Sequence, residues 1–483
     1  MPCAMSRKVI TSLLCLAVAG CTTPVPRALP PEMAPKTFIG PVPSTSQLWP
    51  ESDWWRGFGD ANLAALVRQA QENNRDLAAA AARVLQAEAQ TSIQRGPLFP
   101  QIGATADHAA GDCAGQGCGI FPSGKAFDLR FDATYRLDFW SLARNNLRAA
   151  NEQLKSARFA QQAVTLTVTA NVVNQYLNVL AIRRRIAIAH DNIAAIQAIL
   201  DVIELRVKAG ASSRLDLARE QAQIEFVQAQ LPGLESQEKQ ALYALAVLLG
   251  RPPEMLELAA RNLDGIAAPA IGAGLPSDLL LRRPDIAQAE ANLAAAHANL
   301  DAARAAFLPR ISLTSSGGFA SSAIGTLLQG SSAGYSYGAN LLQTIFDGGV
   351  LFGRKDLAEA TQTEFIANYQ ATVLDAYADV ETALVQVANT NRAEQHLEKL
   401  IDAAREAFEI SELQYRQGAV DLLTVLQAQQ TLFSAQDQLA QTVLANRQSI
   451  VRLYVALGGG WSQKPEDRTQ FAETEAAPPR RPQ

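Results

Sequence analysis

The sequence predicts an α+β fold, mostly long α-helices with a few long β-strands, written twice along one chain. Three observations predict it. First, landmarks recur at one spacing: Asn74-Arg75-Asp76-Leu77 answers Arg283-Pro284-Asp285-Ile286, and Phe99-Pro100-Gln101-Ile102 answers Leu308-Pro309-Arg310-Ile311, both offset by 209 residues. Asp138 answers Asp347 by 209, while Leu205–Gly210 answers Leu413–Gly418 and Leu249-Gly250 answers Leu457-Gly458 by 208. Ordered repetition of this kind marks a duplicated structural unit. Second, two Ala-, Gln- and Leu-rich helical patterns of about 70 residues, Ser141–Ala209 and Gly348–Gln417, are too long for a compact soluble domain. At 1.5 Å per residue each would approach 100 Å, the length of a coiled shaft. Third, Phe127–Phe139 alternates without a break: Phe127, Leu129, Phe131, Ala133, Tyr135, Leu137 and Phe139 share one face, and Asp128, Arg130, Asp132, Thr134, Arg136 and Asp138 the other. Thirteen residues of alternation suit a tilted outer-membrane strand.

The elements follow in order. Arg7 and Lys8 precede the apolar stretch ITSLLCLAVAG and then Cys21. A charged start and a short apolar run ending in small residues describe an export signal, too short to span a bilayer. Val18-Ala19-Gly20-Cys21 resembles the lipobox of bacterial lipoproteins, which implies cleavage before Cys21 and acylation of that residue. Thr22, in place of Asp, implies passage to the outer membrane, and the Pro-rich sequence that follows suits an extended tether. No later apolar run matches the length of a membrane helix, so any crossing is expected to use strands. The opening helix is expected at about Asn62–Arg95 in the first copy and Ser277–Phe307 in the second, with Pro100 and Pro309 ending them. Two strands per copy follow, the second pair less cleanly alternating around Ile311–Phe319 and Tyr335–Phe346. Gly210 and Gly418 stand where each shaft must turn back, since Gly takes the left-handed cap conformation without steric penalty. Ser212 or Ser213 and Asp421 are the capping candidates for the returning helices, and Pro232-Gly233 is expected to kink the first. The expected division is 1–20 signal peptide, 21–60 anchored extended segment, 61–270 first repeat, 271–460 second repeat and 461–483 tail.

Composition narrows the function classes. Of 483 residues 48% are apolar but only 6% aromatic and 18% charged, which favours closely packed helices. A net charge of −5, with a pI near 5.6, argues against nucleic-acid binding. Loss of residues 1–20 removes two cations, leaving 40 against 47 acids, or −7. His108, His190, His297 and His396 are scattered without ligand spacing, so no metal and no cofactor is expected. Gly119–Lys125 nearly spells a phosphate loop, but Ala126 replaces the metal-binding hydroxyl and a strand follows. Cys3 and Cys15 would leave with the signal, while Cys113 and Cys118, in a Gly-rich loop, could form a disulfide in an oxidising exterior. No nucleophile is paired with a base, so catalysis is not expected.

Four amphipathic strands cannot close a barrel, and lipid tolerates no open edge. Closure needs several chains. A dimer would supply eight strands, an interior filled by side chains, so a conduit favours a trimer with twelve.

Four segments carry a family resemblance: SDWWRGFGDANLAALVRQAQENNRDLAAAAARVLQAEA (52–89), LLRRPDIAQAEANLAAAHANLDAARAAFLPRISL (280–313), FDGGVLFGRKDLAEA (346–360) and LQYRQGAVDLLTVLQAQQTLFSAQDQLA (413–440). They resemble the TolC/OprM-like outer membrane factors, specifically their lipoprotein branch. The resemblance implies a homotrimer with a twelve-stranded outer-membrane barrel continuing into a periplasmic α-helical tunnel. It also implies a periplasmic adaptor and a proton-driven inner-membrane transporter of the RND type. The tunnel would close where the helix pairs converge, placing Tyr415, Arg416, Asp421, Leu423, Thr424 and Gln427 at the constriction. Many relatives carry acidic rings where Thr424 or Gln427 stand; here both are neutral, so Leu423 or Asp421 are the alternatives, with Asp421 otherwise a helix cap. The expected function is a passive outer-membrane conduit for drug or small-solute efflux. The alternatives are the channel of a type I protein secretion system and a soluble periplasmic coiled-coil scaffold or hydrolase.

Overall fold

Long stretches of Ala, Leu, Gln and Arg, nearly free of Gly apart from their ends, give the chain its dominant elements. The structure is a computed structural model describing residues 35, 37–41, 51–111, 124–259, 263–269 and 276–461. The signal segment 1–20, Cys21, Cys113, Cys118 and the tail from 462 lie outside the described residues.

The first copy comprises α1 (Ala61–Asn73), α2 (Arg75–Arg95), β1 (Gln101–Gly111), β2 (Gly124–Leu137), α3 (Leu142–Lys208) and α4 (Arg214–Leu248). The second comprises α5 (Pro284–Ala305), β3 (Arg310–Ser321), β4 (Ala333–Leu342), α6 (Val350–Arg416) and α7 (Leu422–Ala456). The duplication is quantitative. α3 and α6 each have 67 residues, and α4 and α7 each have 35. Each long helix is about 100 Å long.

The two opening helices differ from expectation. The first breaks at Asn74, whose backbone is extended (φ −64, ψ 135) and whose side chain accepts from the Asp76 and Leu77 amides at 2.8 and 3.1 Å. The cap starts a new helix because its Nδ2 also donates to the Leu248 carbonyl at 2.8 Å. In the second copy a short 3-10 turn, Pro276–Leu281, precedes α5, and Pro284 occupies its first turn. Arg283 stands where Asn74 does and reaches the corresponding carbonyl, Ala456, at 3.1 Å. Beside these ties, Gly250 (φ 70) and Gly458 (φ 87) end α4 and α7. A Cβ on Gly250 would lie 2.3 Å from the Asn73 carbonyl oxygen, and one on Gly458 1.8 Å from that of Arg282. Each hairpin is thus closed by the same knot. α4 itself runs through Pro232 without ending.

The strands form one antiparallel sheet in the order β1-β2-β3-β4, so the β2–β3 pairing joins the two copies. Asp138 and Asp347 close the strand-to-helix turns. Asp138 accepts the amides of Ala143 and Arg144, both at 3.0 Å, and Asp347 those of Gly349 and Leu351, at 3.0 and 2.9 Å. Each carboxylate thus caps the positive end of a long helix. Gly349 is left-handed (φ 90), and its counterpart Ser141 takes the same region (φ 63) despite its Cβ.

The largest core lies midway along the shaft, where Val172, Val173, Leu177 and Leu180 of α3 meet Val373, Val380 and Leu384 of α6, Val451 of α7 and Leu245 of α4. Trp54 stacks on Tyr454 with ring centroids 4.8 Å apart. The segment at 37–41 docks on this core: Phe38 packs against it, and the Ile39 and Gly40 amides both donate to the Glu381 carboxylate at 2.7 Å. Contrary to the sequence reading, α3 contains an 18-residue stretch apolar enough to cross a membrane by length and composition, with mean hydropathy 1.5. That stretch is 39% buried, and α3 residues such as Val172, Val173, Leu177 and Val179 are fully buried in the shaft.

Candidate functional site

Two surfaces concern transport: the polar face of the sheet and the turns at the far end of the shafts. On the sheet, register decides which residues share a face. Arg130 of β2 lies opposite Thr105 of β1 and Gly318 of β3; Asp132 opposite Gly103 and Ser316; Thr134 opposite Gln101 and Thr314. Ser316 and Gly318 face Ser336 and Gly334 of β4 in turn. The face is therefore polar across all four strands, with Arg130 3.2 Å from Asp132 and 4.0 Å from Asp128. The opposite face carries Ile102, Phe131, Tyr135, Leu313, Tyr337 and Leu341. Phe131, Tyr335 and Tyr337 stand exposed there, as do Phe99, Phe139, Trp140 and Phe346 at the helical end of the sheet. An apolar face bordered by aromatic residues is the pattern of a strand set in lipid.

At the far end, each shaft turns through a Schellman motif. Gly210 (φ 73) ends α3, with Ala211 N–H donating to Arg206 O at 2.8 Å; Gly418 (φ 79) ends α6, with Ala419 donating to Gln414 O at 2.8 Å. No neighbour lies within 4 Å of a Cβ on either glycine. Of the two serine candidates, Ser213 caps α4 in a reciprocal box with Asp216, at 3.1 and 3.2 Å, while Ser212 donates to the same carboxylate. Asp421 caps α7, accepting from the Thr424 amide at 3.0 Å and its hydroxyl at 2.6 Å, bonds that hold its carboxyl below the usual carboxylate range.

The turns are stapled together. The Arg206 guanidinium donates to the carbonyls of Tyr415 (2.9 Å) and Arg416 (3.1 Å) and lies 4.9 Å over the Tyr415 ring. It satisfies two carbonyls at the negative end of α6. Tyr415 is buried with Ile199, Ile203, Leu422 and Val425. Arg416 pairs with Glu412 on its own helix. Leu423, Thr424 and Gln427 are exposed on the free side of α7, Leu423 to 44%. Of the residues expected at a constriction, Tyr415, Arg416, Asp421 and Thr424 are thus gathered around one turn beside Gly418. Leu423 and Gln427 face away from the chain's own core. Arg206 was missed as a site residue; its position four residues before Gly210 was the available signal. Among the described residues no group of three or more His, Cys, Asp or Glu could hold a metal.

A lipid-type sheet continuous with two hairpins about 100 Å long defines a class: an outer-membrane channel subunit whose duct extends into the periplasm. The chain belongs to the outer membrane efflux protein family, which matches residues 66–251 and 275–459, one segment in each copy. It is 37% identical to the pyoverdine export outer membrane protein OpmQ of Pseudomonas putida over 458 residues, covering 93% of this chain and 96% of that protein. Among solved structures, the outer-membrane channel OprN is 29% identical with TM-score 0.82, covering 89% of this chain and 98% of that one. The open state of the MtrE outer membrane channel of Neisseria gonorrhoeae is 28% identical with TM-score 0.82, covering 91% and 98%. The chain is an outer-membrane channel subunit of an efflux system.

Proposed function

We propose that three copies form a twelve-stranded barrel above a periplasmic helical tunnel, and that this duct exports small solutes delivered by a periplasmic adaptor and an inner-membrane RND transporter. One observation carries the reading: among the described residues the sheet has two unpaired edges, β1 and β4, and one face of it is of the lipid type. Those edges must be paired in a bilayer, and pairing β4 of one copy with β1 of the next closes a ring. Three copies leave an open interior, whereas two would fill it with side chains.

Residues 1–20 act in this reading as the signal peptide. Cys21 carries the lipid anchor, residues 21–60 are the anchored N-terminal segment, with Trp54–Phe58 folded as a 3-10 helix against the shaft, and 61–270 and 271–460 are the two repeats, followed by the tail 461–483. Cys113 and Cys118 would lie in the outward loop between β1 and β2, where a disulfide would restrain it. The duct closes at the turns, at Tyr415, Arg416, Asp421 and Thr424 around Gly418, with Leu423 and Gln427 on the free side of α7 and Gly210 at the turn of the other hairpin. Leu423, exposed and apolar, forms the closing ring, and Asp421 caps its helix. Opening is then an outward movement of one hairpin against the other.

The test is a deletion strain exposed to antibiotics, dyes, organic solutes, metal ions and siderophore-loading conditions. Hypersensitivity to small solutes, or their retention, is the expected outcome; loss of a secreted protein with unchanged susceptibility would replace efflux by protein export. In outer-membrane fractions the protein should migrate as a heat-modifiable trimer, and Cys21→Ala should abolish labelling by a palmitate analogue.

A further inference from the structure

The apolar stripe that seats α4 against its neighbours runs Leu217, Glu220, Ile224, Val227, with helical spacings of three, four and three. Leu217, Ile224 and Val227 pack against α3 residues of the two small cores near the turns. Glu220 occupies an apolar position in that stripe, and it is 0% exposed. Among the described residues neither of its carboxylate oxygens has a hydrogen-bond partner. A charged carboxylate is costly in such surroundings unless it is paired or protonated.

α7 carries a second buried polar side chain at the same level. Gln429 is 1% exposed, and among the described residues neither its amide nitrogen nor its amide oxygen has a partner. The two helices are in contact here, since Gln223 of α4 donates to Gln430 of α7 at 3.2 Å. Both helices start at the turns and run the same way. Glu220 lies three residues before Gln223 and Gln429 one before Gln430, so their heights differ by only about 3 Å at 1.5 Å per residue. Ala428 stands in α7 where Glu220 stands in α4, so the duplication does not repeat the carboxyl.

We propose that Glu220 and Gln429 form a proton-operated latch between the two hairpins: the protonated carboxyl donates to the Gln429 amide carbonyl and holds α4 to α7 with the turns closed, and ionisation releases them. The inference rests on the turns being the gate. An acid and an amide satisfy each other as neutral partners, whereas the carboxylate must leave the apolar layer to regain water.

The charged neighbours are engaged elsewhere or turned outward. On α4, Asp216 is bound by Ser212 and Ser213, and Arg219 and Glu225 are exposed. On α3, Lys208 pairs with Glu204, Arg206 binds the α6 carbonyls and Asp201 is exposed. On α7, Asp421 caps its helix; on α6, Glu412 pairs with Arg416, Glu409 is exposed, and Tyr415 keeps its hydroxyl buried. Burial is the sole cause acting on Glu220, and it pushes the carboxyl up to about 7. The protonated form therefore supports the closed state fully below the ordinary carboxylate range. This support is lost as pH rises toward about 7, and it changes little above that.

The experiment is single-channel recording of the purified full-length trimer in planar bilayers between about pH 5 and pH 8. Wild-type open probability should rise about tenfold or more across that range. Glu220→Gln, which keeps a neutral hydrogen-bonding group, and Glu220→Leu should both be flat with pH, and Glu220→Gln should remain closed. A pH-independent wild type, or a Glu220→Gln channel that keeps the wild-type slope, overturns the latch. Leu423→Gly separates the two readings. If it opens the channel while wild type and Glu220→Gln respond alike to pH, the gate stands and the latch falls. If it leaves conductance unchanged, the apolar ring falls on its own account. Heat-modifiable trimers on gels confirm that each variant has assembled.

Discussion

The middle of the shaft and its far end use the same kind of residue to opposite effect. Gly250, Gly458, Gly210 and Gly418 all follow a helix and all take positive φ, between 70 and 87. At the middle, the two glycines press against the backbone of Asn73 and Arg282, with Asn74 and Arg283 tying the helix ends beside them. At the far end, no atom lies within 4 Å of where a side chain would begin. The knots use glycine because two backbones touch; the turns use it only because the chain reverses there. A hairpin clamped backbone to backbone at its middle, and joined at its turn by the Arg206 side chain and a small core, is suited to pivot about the clamp, which is the motion a terminal gate needs.

Substitutions can break or sharpen this contrast. Gly458→Ala should have the largest effect, since its Cβ would overlap the Arg282 carbonyl oxygen. A loss of more than about 3 kcal/mol, seen as failure to recover trimer, is expected. Gly418→Ala, in the same conformation but in open space, should cost only about 1 to 2 kcal/mol. Thermal denaturation of the solubilised protein measures both, and equal costs would refute the distinction between clamp and turn. Arg206→Ala should cost about 1 to 3 kcal/mol by leaving α6 carbonyls without their charged donor. Its clearer signature is a raised open probability, because Arg206 joins one hairpin to the other. Asp421→Ala removes one cap and should cost about 1 kcal/mol, with conductance unchanged if capping is its role. Smallest of all, Ser141→Gly should stabilise by less than about 1 kcal/mol, relieving the left-handed backbone that Gly349 already accommodates in the second copy.

Much of this was legible in the residues. The offset of 208 to 209 placed both long helices to within one or two residues of their observed ends, because capping and glycine turns act through neighbours only a few residues apart. Alternation in β2 identified its two faces for the same reason. The break at Asn74 was not legible. Its sequence continues a plausible helix, and the cap is held by the Leu248 carbonyl, 174 residues away. Arg206 was visible only as a landmark, since its partners belong to the other copy. Glu220 left a readable trace, a carboxyl in an apolar stripe, but its complete burial shows only in the folded chain.

By itself, the sequence determined the duplication, the length of the shafts, the glycine turns, the caps and the two-faced strands, all products of short-range backbone and side-chain preference. Tertiary structure decided which glycines are clamped, which strands join the copies, which arginine staples the turns, and that Glu220 and Gln429 are both buried at nearly the same height. Those outcomes depend on separations of roughly 170 to 210 residues, which only the folded packing of one hairpin on the other can close.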